Sequence, residues 1–155
     1  MLEKTFVNQE MLRWKGKMPV EYLYTTGIAG EQFFRMLQEK GRLMGTVCTK
    51  CRLAYLPPRL FCERCFSQLK RWKPVPKQGT IFTYTVNHLD ATSNPLHPPF
   101  IIALVKFKGF HGGIIHKVEE ISPEEVNIGM VVTPVLEDAK RRTGTINDIK
   151  YFRPV

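Results

Sequence analysis

Three features of this chain predict a mainly β fold. One helix-patterned run spans Gly30–Lys40, four cysteines stand at metal-ligand spacing between residues 48 and 65, and five β-rich runs follow residue 78. Together they read as an N-terminal helix, a rubredoxin-like zinc ribbon and a five-stranded OB-fold barrel. The sections are an arm and helix over 1–41, ribbon and linker over 42–77, and barrel over 78–155.

Residues 1–20 mix Phe6, Met11, Leu12 and Trp14 with charges, and read as a loosely attached arm with one helical turn. The run from Gly30 to Lys40 has an acid near its start, Lys40 at its end and Gly41 just beyond. That order suits the helix dipole and a C-terminal cap. Phe33, Phe34 and Leu37 would share one apolar face, for packing on the body or for docking a partner.

The cysteine array is Cys48-x2-Cys51-x10-Cys62-x2-Cys65, and the chain has no other cysteine. A Cys-x-x-Cys pair puts two thiolates on one tight turn, and two such turns supply the tetrahedral sulfur shell of Zn2+. The spacer Arg52–Phe61 has the length of a short hairpin, with Pro57-Pro58 as its turn. One structural zinc per chain is expected. Reactive dithiols, disulfides or a rubredoxin-like iron are the alternatives. A closed four-sulfur site leaves no position for substrate, so it holds the fold and does no chemistry.

Trp72-Lys-Pro-Val-Pro-Lys77 reads as an extended linker, because each proline biases its predecessor away from helix. Thr80–Val86, Phe100–Phe107 and Gly113–Val118 read as strands, the last two joined by a glycine-containing hairpin turn at Lys108–Gly112. Ser122-Pro-Glu-Glu-Val126 opens a short helix, with Ser122 as N-cap and Pro123 at the first position. Met130–Leu136 and Thr145–Phe152 complete the set. Three strands, a helix and two strands is the element order of an OB-fold.

At 155 residues the length suits one compact domain, or a metal module on a domain of about 80 residues. The longest apolar runs are too short to span a bilayer, the N-terminus lacks a signal-like apolar segment, and metal-bound thiolates suit a reducing compartment. A cytoplasmic protein with no membrane partner is expected. The net charge of +9 is concentrated: residues 48–77 hold eight lysines and arginines against Glu63 alone, while 78–155 balance. Four thiolates on Zn2+ are formally −2, which leaves about five positive charges. They suit a phosphate-bearing partner, an acidic protein surface, or a merely solvated face.

With these elements in order, the chain resembles the zinc-ribbon/OB-fold proteins catalogued as domain of unknown function thirty-five and described as acyl-CoA-associated. The resemblance covers about residues 22–153. It rests on a helix leading into Gly45-Thr-Val-Cys-Thr-Lys-Cys51, then Tyr55-Leu-Pro-Pro-Arg59 and Cys62-Glu-Arg-Cys65. It continues through Gly79-Thr-Ile-Phe-Thr-Tyr-Thr85, Pro98-Pro-Phe-Ile-Ile-Ala-Leu-Val105 and Ile128-Gly-Met-Val-Val132. The resemblance implies a non-catalytic scaffold that binds acyl-CoA and supports thiolase-superfamily enzymes. Such proteins bridge an acetoacetyl-CoA thiolase and a hydroxymethylglutaryl-CoA synthase.

The residues agree with an accessory role on separate grounds. Thiolase-type chemistry needs a free cysteine beside a base, and all four cysteines here are assigned to metal. The serines are Ser67, Ser93 and Ser122, none in a Gly-x-Ser-x-Gly elbow, and no phosphate-binding glycine loop occurs. His88, His97, His111 and His116 read first as surface or packing residues, with His97 and His111 on loops that a ligand could approach. CoA phosphates need cations and its pantetheine arm an apolar groove. The positions expected to supply them are Arg71, Lys73 and Lys77 beside Trp72, with His97, Phe100, Phe110 and His111 as walls. Trp72 and Phe110 suit packing equally well. The rival class is a single-stranded nucleic-acid binder, using cations on the backbone and Phe82, Tyr84 or Phe107 against bases.

Overall fold

The computed structural model describes residues 24–90 and 92–155. The expected arm over 1–20 lies outside them.

Helix α1 (Gly27–Lys40) begins three residues earlier than predicted, after Thr26, whose side chain makes no capping bond. Glu31 therefore falls beyond the first turn and pairs with Arg35 instead. The C-terminus is as expected: Gly41 adopts φ +58 and its N–H donates to the Leu37 carbonyl at 2.9 Å. Phe33 and Leu37, one turn apart, are buried, and Phe34 packs partly against the same core.

A four-stranded sheet carries the cysteines, in the order β3 (Arg71–Pro74), β1 (Met44–Val47), β2 (Ala54–Leu56), β6 (His111–Gly112). Strands β1 (Met44–Val47) and β2 (Ala54–Leu56) are antiparallel, and the first cysteine pair sits in the turn between them. The predicted hairpin within the 52–61 spacer does not form. Pro57 and Pro58 have no N–H to extend the β2 ladder, so the chain leaves the sheet and enters the second knuckle. That knuckle is closed by the Phe61–Gln68 bridge. The predicted linker is also corrected. Arg71–Pro74 form β3, antiparallel to β1, with Met44 opposite Pro74 and Val47 opposite Arg71. Proline is tolerated there because β3 is an edge strand and Pro74 its last residue.

The remaining strands are β4 (Gly79–Leu89), β5 (Pro95–Lys106), β7 (Ile114–Val118), β8 (Val131–Leu136) and β9 (Ile149–Pro154). They pair in the ring β4-β5-β7-β9-β8 and back to β4. The ring is completed by one parallel pair, Val118 with Phe152, and by Gly79 with Val132. Alternation puts Ile101, Ala103 and Val105 of β5 inside the barrel, with Ile114, Val118, Val132, Ile149 and Phe152. No helix separates β7 from β8. The Ser122 N–H does donate to the Glu125 carboxylate at 3.4 Å, one half of a capping box, and its hydroxyl donates to the same carboxylate at 3.1 Å, but only one turn follows. Gly129 at φ +92 ends the segment before a helix could propagate.

The expected hairpin tip has a second role. His111–Gly112 form the two-residue strand β6, which pairs in parallel with Tyr55 and Leu56 of β2. The barrel's β5–β7 connection is thus a strand of the ribbon sheet. One core joins Phe33, Leu37, Leu43 and Leu56 to the barrel interior, and a smaller cluster holds Tyr55 and Leu69 around the cysteines. Among the described residues no helix is long and apolar enough to cross a membrane.

Candidate metal centre and apolar groove

The four cysteine sulfurs lie within 4.8 Å of one another. A tetrahedral shell with bonds of about 2.3 Å requires sulfurs about 3.8 Å apart, so the cluster has the size of a four-thiolate zinc site. Cys48 Sγ and Cys65 Sγ are 3.5 Å apart, one from each knuckle, and all four are free thiols. Cys48 and Cys62 are buried, while Cys51 and Cys65 are partly exposed. The Cys51 N–H points at Cys48 Sγ at 3.3 Å, and the Tyr55 hydroxyl donates to Cys62 Sγ at 3.2 Å. These donors favour thiolate over thiol.

The protonation pattern shows the same demand for a cation. The Ser67 hydroxyl and backbone N–H bring Cys65 down to about 6. The Tyr55 hydroxyl lowers Cys62. Cys51, hydrogen-bonded chiefly to Cys65, is pushed up to about 12. Four sulfurs this close cannot all ionise unless a divalent ion balances them. The residues fit a structural Zn2+ held by Cys48, Cys51, Cys62 and Cys65, and the closed shell provides no reaction site.

The residues expected to meet CoA lie in three places. Arg71, Trp72 and Lys73 are on β3. Lys73 Nζ stands 5.3 Å from the centre of the Phe110 ring, and His111 follows on β6. Phe110 fills the space above Gly45, where an added Cβ would meet its ring at 2.5 Å. Trp72 packs partly against the main core. His97 and Phe100 belong to β5, toward the end opposite Lys106, and Phe100 faces the Lys117 ammonium at 5.8 Å. Lys77 follows β3 and lines a separate cleft.

None of these eight residues lines a large apolar concavity, a groove of about 940 Å³ between α1, the ribbon and the barrel. Its walls are Ile28, Phe33 and Phe34 of α1, the Leu56–Leu60 segment, Leu104 of β5, and Ile114 and Ile115 of β7. Ile28 and Ile115 are about 70% exposed, so apolar surface stands open at its mouth. The Phe33-Phe34 pair was the one local signal for this site. Pairing of β2 with β6 creates the rest. Among the described residues, Arg59 and Lys106 are the only charged ones in the lining, and it includes no cysteine, serine, histidine or carboxylate.

Gly112 and Gly113 also border the groove, but their missing side chains make room for backbone. A Cβ at Gly112 would lie 2.2 Å from the Leu56 carbonyl oxygen, and one at Gly113 would lie 2.5 Å from that of Val105.

A family model described as the ChsH2 rubredoxin-like zinc ribbon domain matches residues 39–70, and one described as the ChsH2 C-terminal OB-fold domain matches 72–137. A Methanocaldococcus jannaschii protein named a DUF35 domain-containing scaffold protein is 27% identical over 129 residues, covering 79% of this chain and 88% of the relative. A crystal structure of a DUF35-family protein of unknown function from Sulfolobus solfataricus is similar with a TM-score of 0.67. It is 25% identical, over 83% of this chain and 87% of that one. A chain of a solved structure described as Ltp2-ChsH2(DUF35) aldolase has the same fold, with a TM-score of 0.59 at 24% identity. The match covers 79% of this chain and 91% of that one.

Proposed function

Because the chain belongs to the DUF35 family of zinc-ribbon and OB-fold proteins, we propose that it is a non-catalytic scaffold that binds acyl-CoA and supports a thiolase-superfamily enzyme. The observation that carries this reading is the groove of about 940 Å³, whose lining, among the described residues, contains no cysteine, serine, histidine or carboxylate. Catalysis of acyl transfer needs a positioned nucleophile and base. An open apolar channel without them is suited to hold a substrate for another protein's chemistry. An acyl chain or pantetheine arm is narrow and largely uncharged, and matches such walls.

Arg59 and Lys106 stand where phosphates could be met. Arg59 pairs with Glu63 and lies over the Tyr55 ring, and Lys106 lies over Phe82. The Arg59–Glu63 pair is half-exposed, so exchanging its carboxylate for a phosphate costs little. The scaffold name of the Methanocaldococcus jannaschii relative supports the accessory role.

The experiment has two parts. The purified zinc-loaded chain is expected to show no thiolase, acyltransferase or thioesterase turnover with acetyl-CoA or acetoacetyl-CoA. Adding a thiolase-superfamily enzyme from the same source should bring activity or raise it. Acyl-CoA binding by the chain should weaken at least about tenfold in Ile115→Glu, which puts a charge on the apolar wall. Turnover by the isolated chain that disappears on mutating one of its own residues would overturn the accessory reading. Unchanged affinity in Ile115→Glu would remove acyl-CoA from the groove.

A further inference from the structure

At the other end of α1, about 9 Å of helix rise beyond Phe34 of the groove, a second cleft of about 580 Å³ opens between the helix C-terminus, the β3–β4 connection and β8. Three cations line it: Lys40, Arg42 and Lys77. No carboxylate is in the lining, and among the described residues none of the three has an ion-pair partner. Just behind the rim, the Arg142 guanidinium packs against Gly41, where a Cβ would meet Nη1 at 2.7 Å. Glu137 is the nearest acid in sequence to the β8 wall, and it pairs with Lys150.

The walls are stiff. Pro74, Pro76 and Pro134 face the cleft, the Val75 N–H donates to the Leu43 carbonyl at 3.0 Å, and the Thr133 hydroxyl donates to the Lys77 carbonyl at 3.1 Å. These bonds tie the segments that carry Arg42 and Lys77 to each other and to β8. Like charges converging on a concavity without a counter-charge repel one another. A ligand that neutralises all three relieves that repulsion.

We propose that this cleft binds a small diphosphate-bearing molecule through Lys40, Arg42 and Lys77. One phosphate leaves part of the charge of three cations unmatched; a diphosphate carries charge and acceptor oxygens for all three. The volume leaves room for an attached group against the proline walls. A free nucleotide diphosphate and the diphosphate of a CoA-type ligand share this chemistry. The inference does not depend on acyl-CoA occupying the groove. A nucleic-acid strand fits less well, because the cleft is bounded and residues 78–155 carry no net charge.

Titration of the zinc-loaded chain with pyrophosphate, followed by calorimetry and backbone amide NMR, tests this. Saturable shifts are expected at residues 40–43, 74–77 and 133–136. The triple variant K40Q/R42Q/K77Q should bind pyrophosphate at least about tenfold more weakly, with zinc content and melting temperature unchanged, since all three side chains are exposed. The ribbon variant R52Q/R64Q should bind as the parent does. ADP or CoA displacing pyrophosphate assigns the site to a nucleotide, and failure of both assigns it to free diphosphate. Undiminished binding by the triple variant, or equal shifts with sulfate at matched ionic strength, would overturn the proposal. So would shifts confined to residues 48–65.

Discussion

The Tyr55 hydroxyl lies 3.2 Å from Cys62 Sγ, and both side chains are fully buried. Tyr55 is also the β2 residue opposite His111 of β6, with the two rings 6.0 Å apart. One side chain thus donates to the metal cluster while its backbone joins the ribbon sheet to the barrel. The bond to Cys62 pushes the Tyr55 phenol up to about 12, so the hydroxyl remains a donor throughout the neutral range. Tyr55→Phe keeps the ring and removes the donor. Zinc release to a chelator should accelerate about tenfold, as a charge-assisted hydrogen bond of about 1.5 kcal/mol is lost. An unchanged release rate would show that the hydroxyl does not support the thiolate.

One zinc per chain is expected by elemental analysis of reduced protein. Cys48→Ser or Cys62→Ser should unfold the ribbon, since structural zinc contributes on the order of 10 kcal/mol to such modules. The damage should reach beyond the knuckles. Amide exchange at His111 and Gly112 should speed up when zinc is chelated, because their strand partners are Tyr55 and Leu56. Less than about half an equivalent of zinc, or full folding after Cys62→Ser, would contradict the metal assignment.

Two glycines of similar backbone angle should respond differently to alanine. Gly112 has φ +88 and an added Cβ would lie 2.2 Å from the Leu56 carbonyl oxygen. Gly129 has φ +92 and nothing within 4 Å of that position. Gly112→Ala should destabilise by at least about 3 kcal/mol, combining strain with loss of the β2–β6 contact. Gly129→Ala carries strain alone, about 1–2 kcal/mol. Chemical denaturation giving the reverse order would place the ribbon–barrel contact elsewhere.

His116 gives the protein a weakness toward acid. Its Nδ1 is buried without a hydrogen-bond partner among the described residues, and its ring meets Phe152 edge-on at 6.1 Å. Burial lowers its pKa below the ordinary 6.5, so the folded state prefers the neutral ring. Above 6.5 both folded and unfolded forms are neutral and no penalty exists. As pH falls below that value the unfolded chain takes up the proton first, and stability declines. Thermal melts from pH 7.5 to about 5 should show this decline, reduced in His116→Gln. A proton titration of His116 by NMR with a midpoint above 6.5 would reverse the sign.

Oligonucleotides should bind weakly and without dependence on barrel aromatics. Phe82 is exposed, but Lys106 Nζ covers one face of its ring at 3.3 Å from the centre. Stacking on that face would have to displace the ammonium, and stacking contributes about 1–3 kcal/mol per base. Sub-micromolar binding at physiological salt, lost in Phe82→Ala and falling with salt at a log–log slope of roughly −0.7 per phosphate, would favour the single-strand reading.

Local chemistry was legible directly. Two Cys-x-x-Cys turns specify a metal site because both thiolates of each pair sit on one turn. Gly41 marks the end of α1, where a left-handed residue is required. The alternation from Ile101 to Val105 marks a barrel strand with one buried face. The misread segments were those whose structure depends on distant partners. Trp72–Pro74 look like a linker until Met44–Val47 offer a strand to pair with, and Ser122–Val126 look like a helix start but have too few residues to propagate one. The groove and the cationic cleft arise only in three dimensions. Ile28 and Ile115, like Lys40 and Lys77, are far apart in sequence and share a wall or a cleft only after β6 docks on β2 and α1 packs on the barrel. Turn and strand preferences act between near neighbours, whereas a concavity is made by surfaces that long-range pairing brings together.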